Sequence, residues 1–267
     1  MGFVAILGVL IGSVMGLTGA GGGILAVPVL VAGMHWTMQQ AAPVALIAVS
    51  VGAAVGAIDG FRHGLVRYKA AMLMAICGIP VTSLGLYLAS ILPQFTLMVM
   101  FAGLMMLVAW RMFRQSKQAG EVNLDDPLRL AHIHADTGKF IWNLPTAAVL
   151  GGIGALTGLM TGMLGVGGGF LIVPLMRRFT HLAMPGIVAT SLFLITLVGS
   201  GGVFNAVHRG AVLPMPETLL FVGVMTLGML IGRRVSRLLQ PAMVQRSFSL
   251  LLAAVSCFLV AKAIWMH

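Results

Sequence analysis

Where an apolar helix breaks on glycine, the backbone itself can do chemistry, and this chain breaks twice in the same way. Gly19-x-Gly21-Gly22-Gly23 and Gly165-x-Gly167-Gly168-Gly169 each run on to a Val-Pro pair, Val27-Pro28 and Val173-Pro174, with each position 146 residues after its counterpart. Three successive glycines leave a helix unwound, and the helix restarting behind them presents N–H groups with no carbonyl to bond. Such an end carries roughly half a positive charge and attracts oxyanions without any formal charge being buried. Gly21, Gly22 and Gly23 with Gly167, Gly168 and Gly169 are therefore the candidate substrate-binding glycines. Gly12 and Gly16, aligned with Gly158 and Gly162, have small-xxx-small spacing and read as helix-packing positions.

Hydroxyls near the breaks extend the candidate site. Thr18, Thr190 and Ser191 could add donors, and Ser50, aligned with Thr196, could line the path. The commoner fate of an intramembrane hydroxyl is to bond its own helix backbone. Asp59 aligns with Asn205, and Arg62-His63-Gly64 with His208-Arg209-Gly210. Asp59, His63, Asn205, His208 and Arg209 are candidates for coupling transport to an ion, proton or sodium, since imidazole titrates near neutrality. Structural or interfacial roles at the segment ends are the competing reading.

Other chemistries fit poorly. The third glycine of a dinucleotide loop would fall on Ile24 or Phe170, and no Lys-Ser/Thr closes a phosphate loop. Neither HExxH nor GxSxG occurs, so an enzyme has no support. His132-x-His134-x-Asp136 resembles a metal triad but reads as a solvated linker, and no metal or other cofactor is expected. Cys77 and Cys257 lie inside apolar runs and read as packing residues. Asp59 and Glu217 are the carboxylates near the bilayer, which suits an anion path better than a cation path.

The elements that must hold these residues are membrane helices. Hydrophobic residues make up 59% of the 267, charged residues 8%, and mean hydropathy is +1.05, far more apolar surface than a soluble core hides. Ten apolar runs, five per half, lack the alternation of barrel strands, so the fold is an all-α polytopic membrane protein. The second run of each half is short, leaving open whether it spans fully. Residues 1–113 form a first repeat, 114–144 a linker and 145–267 a second repeat. If every run crosses, the repeats are inverted and 14 Lys and Arg lie on one face against 2 on the other; the parallel arrangement gives 10 against 6. The positive-inside rule favours inversion, with a cytoplasmic linker and both termini outside the cytoplasm. The net charge of +10 thus reads as topology, not nucleic-acid binding. The N-terminus, lacking a basic leader region, reads as a retained first helix.

The doubled glycine motif, the Ala189-Thr190-Ser191-Leu192 run and the loops at Arg62 to Val66 and His208 to Val212 resemble the TauE/SafE (TSUP) family of sulfite exporters. The resemblance covers essentially the whole chain. It implies a multi-pass carrier of the bacterial inner membrane for sulfite or a related inorganic or organosulfur anion, such as thiosulfate or sulfoacetate. The first half departs from the pattern, with Ala42-Pro43-Val44-Ala45-Leu46 in place of Ala-Thr-Ser-Leu. The leading expectation is alternating-access export from glycine breaks at the repeat interface; the alternatives are a passive anion channel and a non-transporting accessory subunit. Oligomeric state is not legible.

Overall fold

The computed structural model describes residues 2–18, 22–34, 36–117, 131, 140–208, 210, 214–236 and 241–265. Among these, ten α-helices fall on the ten apolar runs. The first half holds α1 (Gly2–Thr18), a 3-10 turn (Gly22–Leu25) leading into α2 (Ala26–Gly33), then α3 (Met38–Arg62), α4 (Tyr68–Ile91) and α5 (Gln94–Lys117). The second holds α6 (Leu144–Leu164), α7 (Gly169–Phe179), α8 (Met184–His208), α9 (Met215–Ser236) and α10 (Pro241–Trp265). Seven of them, all but α1, α2 and α7, are long and apolar enough to cross a membrane; Ile6–Thr18 and Gly23–Gly33 are apolar but shorter. Of the linker, residues 114–117, 131 and 140–144 are described, and the Ala131 N–H bonds the Phe179 carbonyl at the end of α7. His132, His134 and Asp136 lie outside the described residues.

Local signals set the helix ends. Thr37 accepts from the Gln40 N–H while the Gln40 side chain accepts from the Thr37 N–H, a reciprocal cap that starts α3. Pro145 occupies the first turn of α6, where its missing N–H costs nothing. At the far end of α6, Gly165 takes a left-handed φ of 68° and returns its N–H to Thr161 O.

The halves are interlocked. α6 lies along α4 of the first half, and α1 lies along α9 of the second, each pair joined backbone to backbone. A Cβ added to Gly158 would strike the Gly78 carbonyl and one on Gly162 the Thr82 carbonyl; on Gly12 and Gly16 it would meet Met225 O and Met229 O. In lipid no hydrophobic force drives helices together, so this close approach supplies the attraction. The outer glycines are packing positions.

α3 and α8 form the middle. Leu46 packs at Gly202, Ser50 at Gly199, Leu192 at Gly56 and Ala189 at Gly60. Rising numbers on one helix meet falling numbers on the other, so the two run antiparallel. Of their apolar windows 67% and 56% is buried, against 33% for α4, α9 and α10. Those outer helices present Ile76, Leu84, Leu219 and Leu227 outward, the surface a bilayer would cover.

The glycine contacts separate two otherwise similar substitutions. Gly158→Ala forces a methyl into the Gly78 backbone and should lower stability by about 1–3 kcal/mol. Gly152, with nothing within 4 Å of an added Cβ, should be neutral or gain about 0.5 kcal/mol as Ala. Thermal unfolding in detergent reads the difference, and equal melting of the two variants would refute the packing role.

Candidate functional site

The second break owes its shape to glycine. Gly165, Gly167 and Gly168 all have positive φ, 68°, 70° and 63°, a region that costs an L side chain but not glycine. Gly168 is the N-cap of α7, and the first bonds into that helix run from Leu171 and Ile172 to Gly168 O. The amides ahead of them have no intrahelical acceptor. In the first break Gly22 and Gly23 form the 3-10 turn before α2, while Gly21 lies outside the described residues.

The breaks meet at one side chain. A Cβ on Gly23 would lie 2.9 Å from Val49 Cγ1, and a Cβ on Gly167 would also lie 2.9 Å from that same methyl. The Gly23 position is in addition 3.2 Å from Val166 O. Segments 146 residues apart therefore touch across α3. Gly23 and residues 165–170 are buried, so Val49 fills the junction in this conformation.

The far ends of both short helices carry cations. Arg177 and Arg178 occupy the last turn of α7, and Lys262 of α10 donates from Nζ to Val31 O in the last turn of α2 at 2.8 Å. Positive charge there complements the negative pole of each helix.

Behind the second break stand two hydroxyls that the sequence reading missed. Thr157 and Thr161 of α6 flank Gly168. Thr161 donates to Thr157 O at 2.8 Å, whereas the fully buried Thr157 Oγ1 has no hydrogen-bond partner. Their counterparts in the first half are Ile11 and Met15.

The expected hydroxyls are occupied locally. Thr18 donates to Val14 O, Ser50 to Leu46 O, Ser191 to Val188 O and Thr196 to Leu192 O, each within its own helix. Thr190 differs: buried in α8, its oxygen accepts the Arg67 backbone N–H at 3.0 Å and ties α8 to the start of α4.

The coupling candidates split into two groups. Asp59, in the last turn of α3, pairs with Arg233 Nη2 of α9 at 2.6 Å, and His63 Nδ1 lies 2.8 Å from the Asp59 backbone oxygen and 3.6 Å from Oδ1. Asn205 donates to Gly201 O within α8, and His208 stacks on Phe204 with centroids 6.1 Å apart. Because α3 and α8 are antiparallel, these groups sit at opposite ends of the pair. Arg209 lies outside the described residues. Arg233, which also donates from Nη1 to Gly56 O at 2.7 Å, escaped sequence reading because nothing in its spacing distinguishes it from Arg234.

Apolar helices long enough to cross a bilayer, packed around the buried second break, define a multi-pass membrane protein. Residues 4–259 match the family described as Sulfite exporter TauE/SafE, and the chain belongs to that family. It is a membrane transporter rather than an enzyme. It is similar to a probable membrane transporter protein of Xylella fastidiosa strain Temecula1, 28% identical over 96% of this chain and 93% of the relative. It is also similar to the probable membrane transporter protein YunE of Bacillus subtilis strain 168, 26% identical over 97% of each chain. No solved structure matches it.

Thr190 offers a direct test of brace against ligand. Thr190→Val leaves the Arg67 N–H without its acceptor and should cost about 1–3 kcal/mol of stability. Thr190→Ser should melt like the wild type. A Thr190→Val protein of unchanged melting temperature would remove the structural role.

Proposed function

We propose that this protein is a secondary transporter that exports sulfite, or a similarly small sulfur-containing anion, across the bacterial inner membrane by alternating access. The observation that carries the reading is the convergence of Gly23 and Gly167 on one methyl of Val49. Two helix starts brought that close superpose their partial positive charges where a small oxyanion could accept several peptide N–H bonds. The partnerless Thr157 hydroxyl beside Gly168 is a further donor within the second break. Family membership supports sulfite as the first anion to test.

Alternating access needs two arrangements of one scaffold, and inverted repeats supply them. Support comes from α3 and α8, equivalent at the 146-residue spacing yet antiparallel, and from the reciprocal pairing of α1 with α9 and α6 with α4. The charge asymmetry of 14 Lys and Arg against 2 fits the same arrangement, with both termini outside the cytoplasm. Val49 is the barrier that must move aside for an anion to enter.

Reconstitution of the purified chain with radiolabelled sulfite tests this. Flux should saturate and be accelerated by unlabelled sulfite on the opposite side. Gly23→Val, which adds bulk against Val49, should cut flux by on the order of a hundredfold through misplacement of the donors, with the protein still melting cooperatively. Linear flux without acceleration would mean a channel, and no flux an accessory subunit. Undiminished flux in Gly23→Val would overturn the site.

A further inference from the structure

We propose that Arg233 is a second anion-binding point on the path, an exchange station where the transported oxyanion replaces the Asp59 carboxylate; this rests on the anion-transport reading above. One face of α3 leads from the breaks to this guanidinium. Val49 touches both breaks, and after it Gly52, Gly56 and Gly60 follow at spacings of three and four, the same side of the helix. Gly52 faces the sulfurs of Met15 and Met229, 3.6 and 3.5 Å from where its Cβ would be. At Gly56 a Cβ would come within 3.0 Å of Arg233 Nη1. With no side chain at Gly56, the Met229 methyl, Leu192 Cδ1 and the guanidinium all close on this face. Seven residues of helix separate Val49 from Gly56, roughly 10 Å.

Two of the acceptors that hold Arg233 there differ in kind. Nη1 donates to Gly56 O at 2.7 Å and Nη2 meets Asp59 Oδ2 at 2.6 Å. The first is neutral and fixes the fork to α3; the second is an anion that another anion can displace. A planar guanidinium binds carboxylates and tetrahedral or pyramidal oxyanions through the same parallel donors. Exchanging one anion for another keeps the guanidinium compensated throughout, and the displaced Asp59 carboxylate, 36% exposed, turns to solvent at the helix end. With side-chain exposures of 26% and 36%, Arg233 and Asp59 are half-buried, reachable from the helix end yet on the face leading to the breaks. The equivalent positions of the other half are Tyr87 and Asn205, and Asn205 spends its amide on Gly201 O. The ion pair therefore belongs to one end of the molecule.

A brace and an exchange station differ in sign. If the pair only braces α3 against α9, breaking it from either side has the same effect. If Arg233 binds the anion, Asp59 is its competitor, and the two variants act oppositely. Thermal shift with sulfite on purified protein, near neutral pH and at fixed ionic strength, gives apparent affinity, and proteoliposome flux gives the half-saturation. Arg233→Gln should weaken sulfite binding about tenfold, Asp59→Asn should tighten it by a similar factor, and Arg233→Lys should fall between Arg233→Gln and wild type. Should Arg233→Gln fail to fold, Arg233→Lys and Asp59→Asn must still move binding in opposite directions. Changes in the same direction, or none, would overturn the exchange role while leaving wild-type transport intact. A wild type that neither binds nor carries sulfite would instead bring down the transport reading, and this inference with it.

Discussion

A bilayer gives a broken helix nothing to bond to, and the architecture of this transporter follows from that constraint. Unwound backbone at membrane depth survives only where protein surrounds it. The second break is accordingly enclosed between α6, α3 and α8, and Gly23 of the first lies buried against α3 and the Val166 carbonyl. Positive φ at Gly165, Gly167 and Gly168 turns the chain within four residues, so α7 can restart with its amide end inward. Lys262 on α2 and Arg177 with Arg178 on α7 stabilise the opposite poles.

Enclosure requires that the halves hold each other. Among the described residues, the first helix of each half packs mainly on the fourth of the other: α6 takes α4 and α1 takes α9. Removing the side chain at Gly12, Gly16, Gly158 and Gly162 brings backbones into contact, where dispersion and weak C–H···O interactions accumulate. The antiparallel α3 and α8 run through the middle of this exchange and carry Val49 and the ion-paired end. Structure at the breaks and structure at the ends are thus parts of one interlocked scaffold.

Much of this was legible in the residues, for identifiable reasons. Long apolar runs without alternation admit only helices in lipid, and the runs located all ten. The outer glycines declared themselves by four-residue spacing, and the family by the doubled glycine motif. What stayed hidden depended on partners from distant sequence. Nothing local to Thr190 announces the Arg67 amide that its oxygen accepts. Arg233 reads as one of many topology charges until α9 brings it to Gly56 and Asp59. Thr157 and Thr161 read as ordinary helix hydroxyls until α6 brings them against Gly168. Helix starts and extents were offset by a few residues where caps decide, as at Thr37 ahead of α3.

The central claim is that the two breaks jointly cradle an anion, and selenite, a heavier analogue of sulfite, can report on it directly. A structure determined with selenite bound should give one selenium signal between the breaks, its oxygens about 3 Å from amide nitrogens of both, with Val49 turned away. Selenium found only at the surface, with Gly23 and Gly167 still closed on Val49, would contradict the account.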